Sequence, residues 1–145
     1  MSEAELDSFL ATARTCRLAT IGSGGPHVTP LWFVWVDEAL WIYSVVKSQR
    51  WTDLERDPRA AAVVDDGSAY EELHGVELRG EVANVGGAPR DPGDFDAELA
   101  PVEAAYARKY NGGEDLAYDG VHAWLRLTPA KIVSWDFRKL DDASA

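Results

Sequence analysis

The residues best suited by type to do chemistry lie where a predicted strand meets a predicted helix. Residues 41–46 have the composition of a strand, and Ser48 is of the type that caps a helix. Lys47 and Arg50 add two cations at this junction, although the unpaired N–H groups of a helix start favour anions. A bound phosphate would make the arrangement favourable. On this motif alone, solvated cations and a phosphate pocket both remain open.

A second unusual segment covers residues 27–36, which are apolar on both faces from Leu31 onward. A strand of this kind belongs in a barrel wall with a subunit, a helix or a flat ligand outside it. Pro30 cannot donate a ladder hydrogen bond, so we expect strand pairing to break there and to free nearby backbone groups. A flat heterocycle could use these groups. The alternative is an edge or bulge beside a dimer contact.

The elements that must position these residues are mainly β. Hairpins dominate and no regular βαβ alternation occurs, which predicts an antiparallel barrel with covering helices, formed by one domain over residues 1–145. Six strands are predicted at residues 16–21, 27–36, 39–45, 60–65, 75–85 and 120–137, with helices at 3–14, 48–56 and 94–110. Asp37 and Glu38 form a tight connection between the second and third strands, and Ser48 is the predicted N-cap of the second helix. Pro101 can start a new first turn within the helix at residues 94–110.

Charge and composition restrict the class of protein. A formal net charge of −11 argues against nucleic acid or an anionic membrane as the main partner, although a local cationic pocket can still hold one anionic small molecule. The sequence contains no apolar run long enough for a membrane span and no secretory signal at its acidic start. Cys16 is the only cysteine, which fits a reducing cytoplasm, and we expect it to be a small buried hydrophobe.

Several common kinds of site have no support in the sequence. His27, His74 and His122 lack metal-ligand spacing, so we expect no metal. A Gly-x-Ser-x-Gly elbow is absent, and no Gly-x-Gly-x-x-Gly turn lies between a strand and a helix. The chain therefore offers no obvious acid–base pair or nucleophile, and its catalytic residues stay unknown.

An ordered set of short motifs resembles a known family. The set comprises residues 17–22 with Pro26, residues 29–33, 48–50, 54–59 and 131–136. In this order and spacing the chain resembles the split-barrel flavin-binding family related to pyridoxamine 5′-phosphate oxidase. Within that family it is most similar to the flavin- and deazaflavin-dependent oxidoreductases of actinobacteria. The resemblance runs from about Leu6 to about Leu140.

The resemblance implies a six-stranded antiparallel split β-barrel that acts as a homodimer with a cofactor in each interface groove. It implies that the backbone of Thr29, Pro30, Leu31 and Trp32 flanks the cofactor ring. It also implies that Ser44, Lys47, Ser48, Gln49 and Arg50 surround the phosphate, and that Trp135 and Arg138 approach from the other subunit. Many relatives have Ser-Arg-Lys where this chain has Ser48-Gln49-Arg50. Lys47 can replace the missing cation, which leaves open which residues touch the phosphate.

The resulting functional hypothesis is a cytoplasmic oxidoreductase that transfers hydride through a flavin-type cofactor to a planar substrate. Coenzyme F-420 is favoured and FMN is second; Arg56 and Arg59 could meet the anionic tail of F-420. No counterpart to the C-terminal substrate segment of the pyridoxamine phosphate oxidases is evident, so oxidation of pyridoxamine phosphate is not expected.

Trp32 and Trp35 could stack on a planar substrate or fill a dimer core. The alternatives are a non-catalytic cofactor carrier or sensor, and a dimeric barrel without cofactor.

Overall fold

The computed structural model describes residues 1–113 and 115–140. Within these ranges the chain forms three α-helices, one short 3-10 helix and seven strands of a single antiparallel sheet. In chain order the elements are α1 (Glu3–Thr12), β1 (Thr15–Gly22), β2 (Gly25–Trp32), β3 (Val34–Val36), β4 (Ala39–Val45), α2 (Gln49–Arg56), β5 (Arg59–Asp66), the 3-10 helix (Tyr70–Glu72), β6 (His74–Val85), α3 (Leu99–Tyr110) and β7 (His122–Asp136).

The sheet has the strand order β2-β1-β5-β6-β7-β4-β3 and curls around an apolar core. Side chains such as Leu18, Leu40 and Leu78 fill the inside of the curl, together with Leu10 of α1. A second, smaller cluster forms where α3 packs against β3, β4 and β7. The predicted mainly β, antiparallel split-barrel architecture is therefore confirmed, with seven strands in place of six.

The additional strand arises because the predicted strand at residues 27–36 is divided at Phe33. Tyr110 Oη lies 3.1 Å from Phe33 N and 2.7 Å from Phe33 O, so one hydroxyl satisfies both backbone groups. Lys109 Nζ also donates to Phe33 O at 3.2 Å. Since these side chains replace ladder partners, β2 pairs with β1 and β3 pairs with β4. The pairing therefore breaks at Phe33 and not at Pro30, which stays in register with Arg17.

The turns and caps follow the sequence closely. Asp37 and Glu38 both have positive φ, which suits the tight connection between β3 and β4. Ser48 is the N-cap of α2, as predicted, and accepts a hydrogen bond from Trp51 N. The predicted helix at residues 94–110 is shorter because Asp96 Oδ1 accepts the N–H groups of Glu98 and Leu99 and so delays the start of α3.

One glycine fixes the pairing of β6 with β7. The register shifts between Arg79 and Gly80, opposite Pro129, which cannot donate a ladder hydrogen bond. A Cβ on Gly80 would collide with the backbone oxygen of Thr128. Only glycine therefore fits at this irregularity, and β7 continues through it to Asp136.

Candidate cofactor site at the start of helix α2

The cationic junction is built by the handover from β4 to α2. β4 ends at Val45, and Ser48 N donates to Val45 O at 3.2 Å, which closes a tight turn. Ser48 Oγ then accepts from Trp51 N at 3.2 Å and starts the helix. The first turn of α2 contains no acidic residue, so its positive end is not neutralised locally. An anion placed at this junction would meet both the helix end and the nearby cations.

Arg50 is the central cation of the junction. Its Nε and Nη2 donate to Ser44 Oγ at 3.2 and 3.0 Å, and the guanidinium is half-buried. Burial lowers the pKa of Arg50 because the charged form loses solvation. Within the described ranges no carboxylate lies within ion-pair distance of Arg50. The Arg50 guanidinium is thus a partly desolvated cation whose hydrogen-bond partner, the Ser44 hydroxyl, is neutral.

The other predicted phosphate residues take different positions. Ser44 is only 1% exposed and serves to fix the Arg50 guanidinium. Lys47 is exposed beside the turn. The Gln49 side chain turns away from the junction and donates from Nε2 to Asp53 Oδ1 at 2.8 Å. The two residues of this set that present charge at the surface of the turn are therefore Lys47 and Arg50.

Asp53 is a buried residue that the sequence did not single out. Its side chain is 0% exposed; Oδ1 accepts from Gln49 and lies 3.5 Å from Arg56 Nη2. Oδ2 is buried and has no hydrogen-bond partner in the part of the chain that the structure describes. Gly22 and the His27 ring lie next to Oδ2. The i, i+4 spacing of Gln49 and Asp53 was the one available sequence signal.

The predicted ring-binding segment lies on β2, an edge strand that pairs only with β1 among the described residues. Thr29 and Pro30 are exposed, whereas Leu31 is partly buried. The Trp32 ring is 50% exposed and stacks on Tyr110, with ring centroids 4.3 Å apart and an interplanar angle of 8°. The free edge of β2 leaves backbone donors and acceptors available, because β2 lies at the edge of the sheet and not because the pairing breaks at Pro30.

Trp135 and Arg138 lie far from β2 in the sheet. β1, β5 and β6 separate β2 from β7, which carries Trp135. Arg138 follows β7, and its Nε and Nη2 donate to the two oxygens of Asp136, each at 2.8 Å. These hydrogen bonds lower the pKa of Asp136 to about 2. β7 also pairs with β4, and His122 lies opposite Val45 next to the start of α2, but Trp135 lies at the other end of β7, where it pairs with Gly75 of β6. One copy of the chain therefore holds Trp135 and Arg138 away from the start of α2.

Lys109 and Tyr110 are two partly buried residues outside the cofactor junction that sequence reasoning missed. Both lie at the end of α3 and reach the backbone of Phe33. Burial, reinforced by the charge of Arg14, lowers the pKa of Lys109 to about 8. Burial raises the pKa of Tyr110 to about 12. The repeat of Tyr106 and Tyr110 at helical spacing was the available signal for a face of α3 that packs on the sheet.

The outer face of the sheet is open. Two cross-strand rows traverse it, Val28–Ala19–Ala61–Arg79–Lys131 and Pro30–Arg17–Val63–Glu77–Val133. Val28 is 65% exposed, and a groove of about 360 Å³ lies between Ile21, Pro26 and Ala61. We refer to the surface formed by these two rows as the open sheet face. Its surface is mixed: exposed apolar residues such as Val28 and Val133 lie beside the charged side chains of Arg17, Arg79 and Lys131.

Residues 1–113 and 115–140 hold neither a metal cluster nor a membrane-spanning helix. No group of three or more His, Cys, Asp or Glu residues is arranged there to hold a metal ion. No helix in the same ranges combines the length and the apolar character needed to span a membrane.

Comparison with known proteins places this architecture in a family. The family model for pyridoxamine 5′-phosphate oxidase matches residues 2–136. The chain therefore belongs to the pyridoxamine 5′-phosphate oxidase family, as its motifs indicated. No curated protein matches the sequence.

Solved structures agree with this assignment. A conserved hypothetical protein from Mycobacterium tuberculosis is 32% identical with a TM-score of 0.82, over 97% of this chain and 88% of that one. An FAD-binding protein from Mesorhizobium loti is 19% identical with a TM-score of 0.70, over 92% and 94% of the two chains. A protein described as F420 reductase is 24% identical with a TM-score of 0.64, over 88% and 94%. The last two share the fold.

Proposed function

We propose that this chain is an oxidoreductase that transfers hydride through a flavin-type cofactor, with coenzyme F-420 the first candidate and FMN the second. Arg50 is the observation that carries the proposal. Its half-buried guanidinium is fixed by Ser44 and has no carboxylate partner within the described ranges. A phosphate would supply the missing negative charge, since both arginine and the N-terminus of a helix bind phosphate well. Family membership supplies the second support.

The residues at the junction fit a phosphate. Arg50 uses two of its five N–H groups on Ser44 and can direct others at an anion. Lys47 would add charge from the exposed side, and the first-turn amides of α2 would add hydrogen bonds. The backbone of Thr29, Pro30, Leu31 and Trp32 would flank the ring, since β2 has a free edge. When bound, the cofactor supplies the hydride chemistry, and the chain binds and orients it.

A second copy of the chain would complete the proposed site. Trp135 and Arg138 of the partner subunit would approach the ring, which agrees with their separation from β2 by three strands of the same sheet. The open sheet face is the surface we propose for this contact, because it combines the exposed Val28 with an apolar groove between Ile21, Pro26 and Ala61. A single cysteine, buried as Cys16, agrees with the proposed location in a reducing cytoplasm.

The choice between the two cofactors depends on whether cations outside the phosphate site are free to bind the anionic tail of F-420. Arg59 donates to both oxygens of Asp57, and Arg56 Nη2 lies 3.4 Å from Ile21 O and 3.5 Å from Asp53 Oδ1. These contacts occupy the two arginines that the sequence offered to the tail of F-420. FMN, which has no such tail, therefore stays in the test as the second candidate.

A calorimetric titration of F-420 and FMN into the purified protein tests the proposal. We expect one of them to bind, and Arg50→Met to weaken that binding by about tenfold to a hundredfold, since hydrogen bonds to charged groups contribute about 1.5–3 kcal/mol. Lys47→Met should weaken it only several-fold because Lys47 is exposed. Lys109→Met is the matched control and should bind the cofactor normally. Failure of both cofactors to bind, or normal binding by Arg50→Met, contradicts the proposal.

A turnover measurement separates the enzyme from a carrier. The reduced cofactor is bound to the protein and mixed with a panel of quinone, tetrapyrrole and nitro compounds. Faster reoxidation by one planar acceptor supports the oxidoreductase and identifies its substrate class. Unchanged reoxidation across the panel, with binding intact, favours the alternative function of a cofactor carrier or sensor.

A further inference from the structure

A cavity separate from the cofactor junction lies between α1, β3 and α3. Its volume is about 360 Å³, near the lower limit for small-molecule pockets. Ala11, Val34 and Ala105 form its apolar wall, while Trp35, Arg108 and Lys109 contribute an indole and two cations. None of these residues belongs to the predicted cofactor-binding set, and Trp35, which the sequence offered as a stacking surface for a planar substrate, lines this separate cavity.

The cations of this cavity lack acidic partners. Lys109 Nζ donates to Phe33 O at 3.2 Å and to Leu10 O at 3.4 Å, and it lies 4.1 Å from the centroid of the Phe33 ring. In residues 1–113 and 115–140 no carboxylate lies within ion-pair distance of Lys109 or Arg108. Two of the three N–H donors of Lys109 are used on backbone oxygens, and no charged acceptor meets the third in these ranges. In a chain with a net charge of −11, two cations that line one cavity and have no acidic partner favour an anion there.

The indole defines the shape of the ligand. Trp35 Nε1 donates to Asp7 Oδ1 at 3.0 Å, which fixes the ring and occupies the acidic side chain of α1 nearest to it. The wall beside the ring is apolar and offers a surface for a flat hydrocarbon body. From the cavity and its two cations we propose that this chain binds a small aromatic carboxylate between Trp35, Arg108 and Lys109.

The protonation state of Lys109 links this site to pH. The groups that act on its charge are Arg14, which follows α1, and Cys16 on β1; Tyr110 and Arg108 are its neighbours on α3. Without ligand, burial lowers the pKa of Lys109 to about 8. A bound carboxylate favours the charged ammonium and raises this pKa, so binding should be strongest below pH 8 and should weaken above it.

The test uses benzoate as the probe, titrated into the whole protein by calorimetry at pH 7. Benzamide removes the charge and cyclohexanecarboxylate removes the aromatic ring. We expect benzoate to bind at least tenfold more tightly than benzamide and several-fold more tightly than cyclohexanecarboxylate. We also expect Lys109→Met to weaken benzoate binding at least tenfold, and Arg108→Gln several-fold. Lys47→Met is the control from the cofactor junction and should bind benzoate normally.

The pH profile separates a direct contact from a structural effect of the substitution. If only the charged form of Lys109 binds, benzoate affinity should fall about tenfold between pH 7 and pH 9. The Lys109→Met protein should lose this dependence while keeping its unfolding transition. No benzoate binding, unchanged binding by Lys109→Met, or a loss on Arg50→Met with Lys109→Met unaffected would overturn the proposal. The last result would place the anion at the cofactor junction, so the two proposals fail separately.

Discussion

Tyr110 decides, through one hydroxyl, where the wall of the barrel divides. Its oxygen lies within hydrogen-bond distance of Phe33 N, Phe33 O and Arg14 O. Tyr110→Phe should therefore destabilise the fold by about 1–3 kcal/mol, because it leaves a backbone N–H of a buried residue without its partner. Urea unfolding followed by circular dichroism measures the loss. Tyr70→Phe, on an exposed ring, is the control and should change the free energy of unfolding by less than about 0.5 kcal/mol.

Cys16 should behave as an unreactive thiol. It is fully buried in the core, and burial raises its pKa to about 12, so almost no thiolate is present near neutral pH. At pH 8 a chromogenic disulfide reagent should leave the native protein unlabelled for hours and should label one thiol per chain in denaturant. Rapid labelling of the native protein would show that the segment around β1 opens readily.

Single residues of the candidate site were predictable to different degrees. Ser48 and Arg50 could be recognised because capping and helix-end charge are local properties of consecutive residues. The burial of Asp53 and of Lys109 could not, since it depends on strands and helices distant in the sequence. Gln49 shows the same limit: its sequence position indicates a phosphate contact, and its side chain bonds to Asp53.

The pairing of β6 with β7 depends on a residue without a side chain. Gly80→Ala should destabilise the protein by about 3 kcal/mol, because its Cβ would meet the backbone of Thr128, which cannot move without disturbing the ladder. Gly24→Ala is the matched control, since its Cβ would meet no atom within 4 Å. Thermal unfolding of both variants measures the difference. Equal melting temperatures would mean that the strands adjust around Gly80.

The hairpins were predictable because their signals are local. Asp37 and Glu38 mark a tight turn, the Gly-rich segment before Pro26 marks another, and both appear where the sequence indicates. The prediction that strand pairing breaks at Pro30 was wrong, because the break lies at Phe33. Its cause is a tyrosine 77 residues away in the sequence. Long-range contacts of this kind leave no periodic pattern in the segment that they divide.

The assembly of the whole molecule can be tested on the open sheet face. We expect the wild-type chain to be a dimer in solution by light scattering. Val28→Glu should convert it to a monomer, because it replaces an apolar side chain that is 65% exposed on the proposed contact surface with a charge. Phe95→Glu changes a side chain that is 84% exposed on a loop and should leave the dimer intact.

The cofactor titration adds a second readout to this comparison. If the site needs residues from both copies, Val28→Glu should lose cofactor binding together with dimerisation. A wild-type monomer that binds cofactor at full strength would contradict the shared site.

The free edge of β2 also affects the newly made polypeptide. Among the described residues, one edge of β2 in the single chain has unpaired backbone amides and carbonyls, next to the exposed Val28 side chain. Edges of this kind accept strands from unrelated chains and seed insoluble deposits. If the chain dimerises as proposed, the rate of dimerisation relative to such capture determines how much protein stays soluble. We expect a high soluble yield while the open sheet face is intact. Variants that weaken this face should appear in inclusion bodies instead.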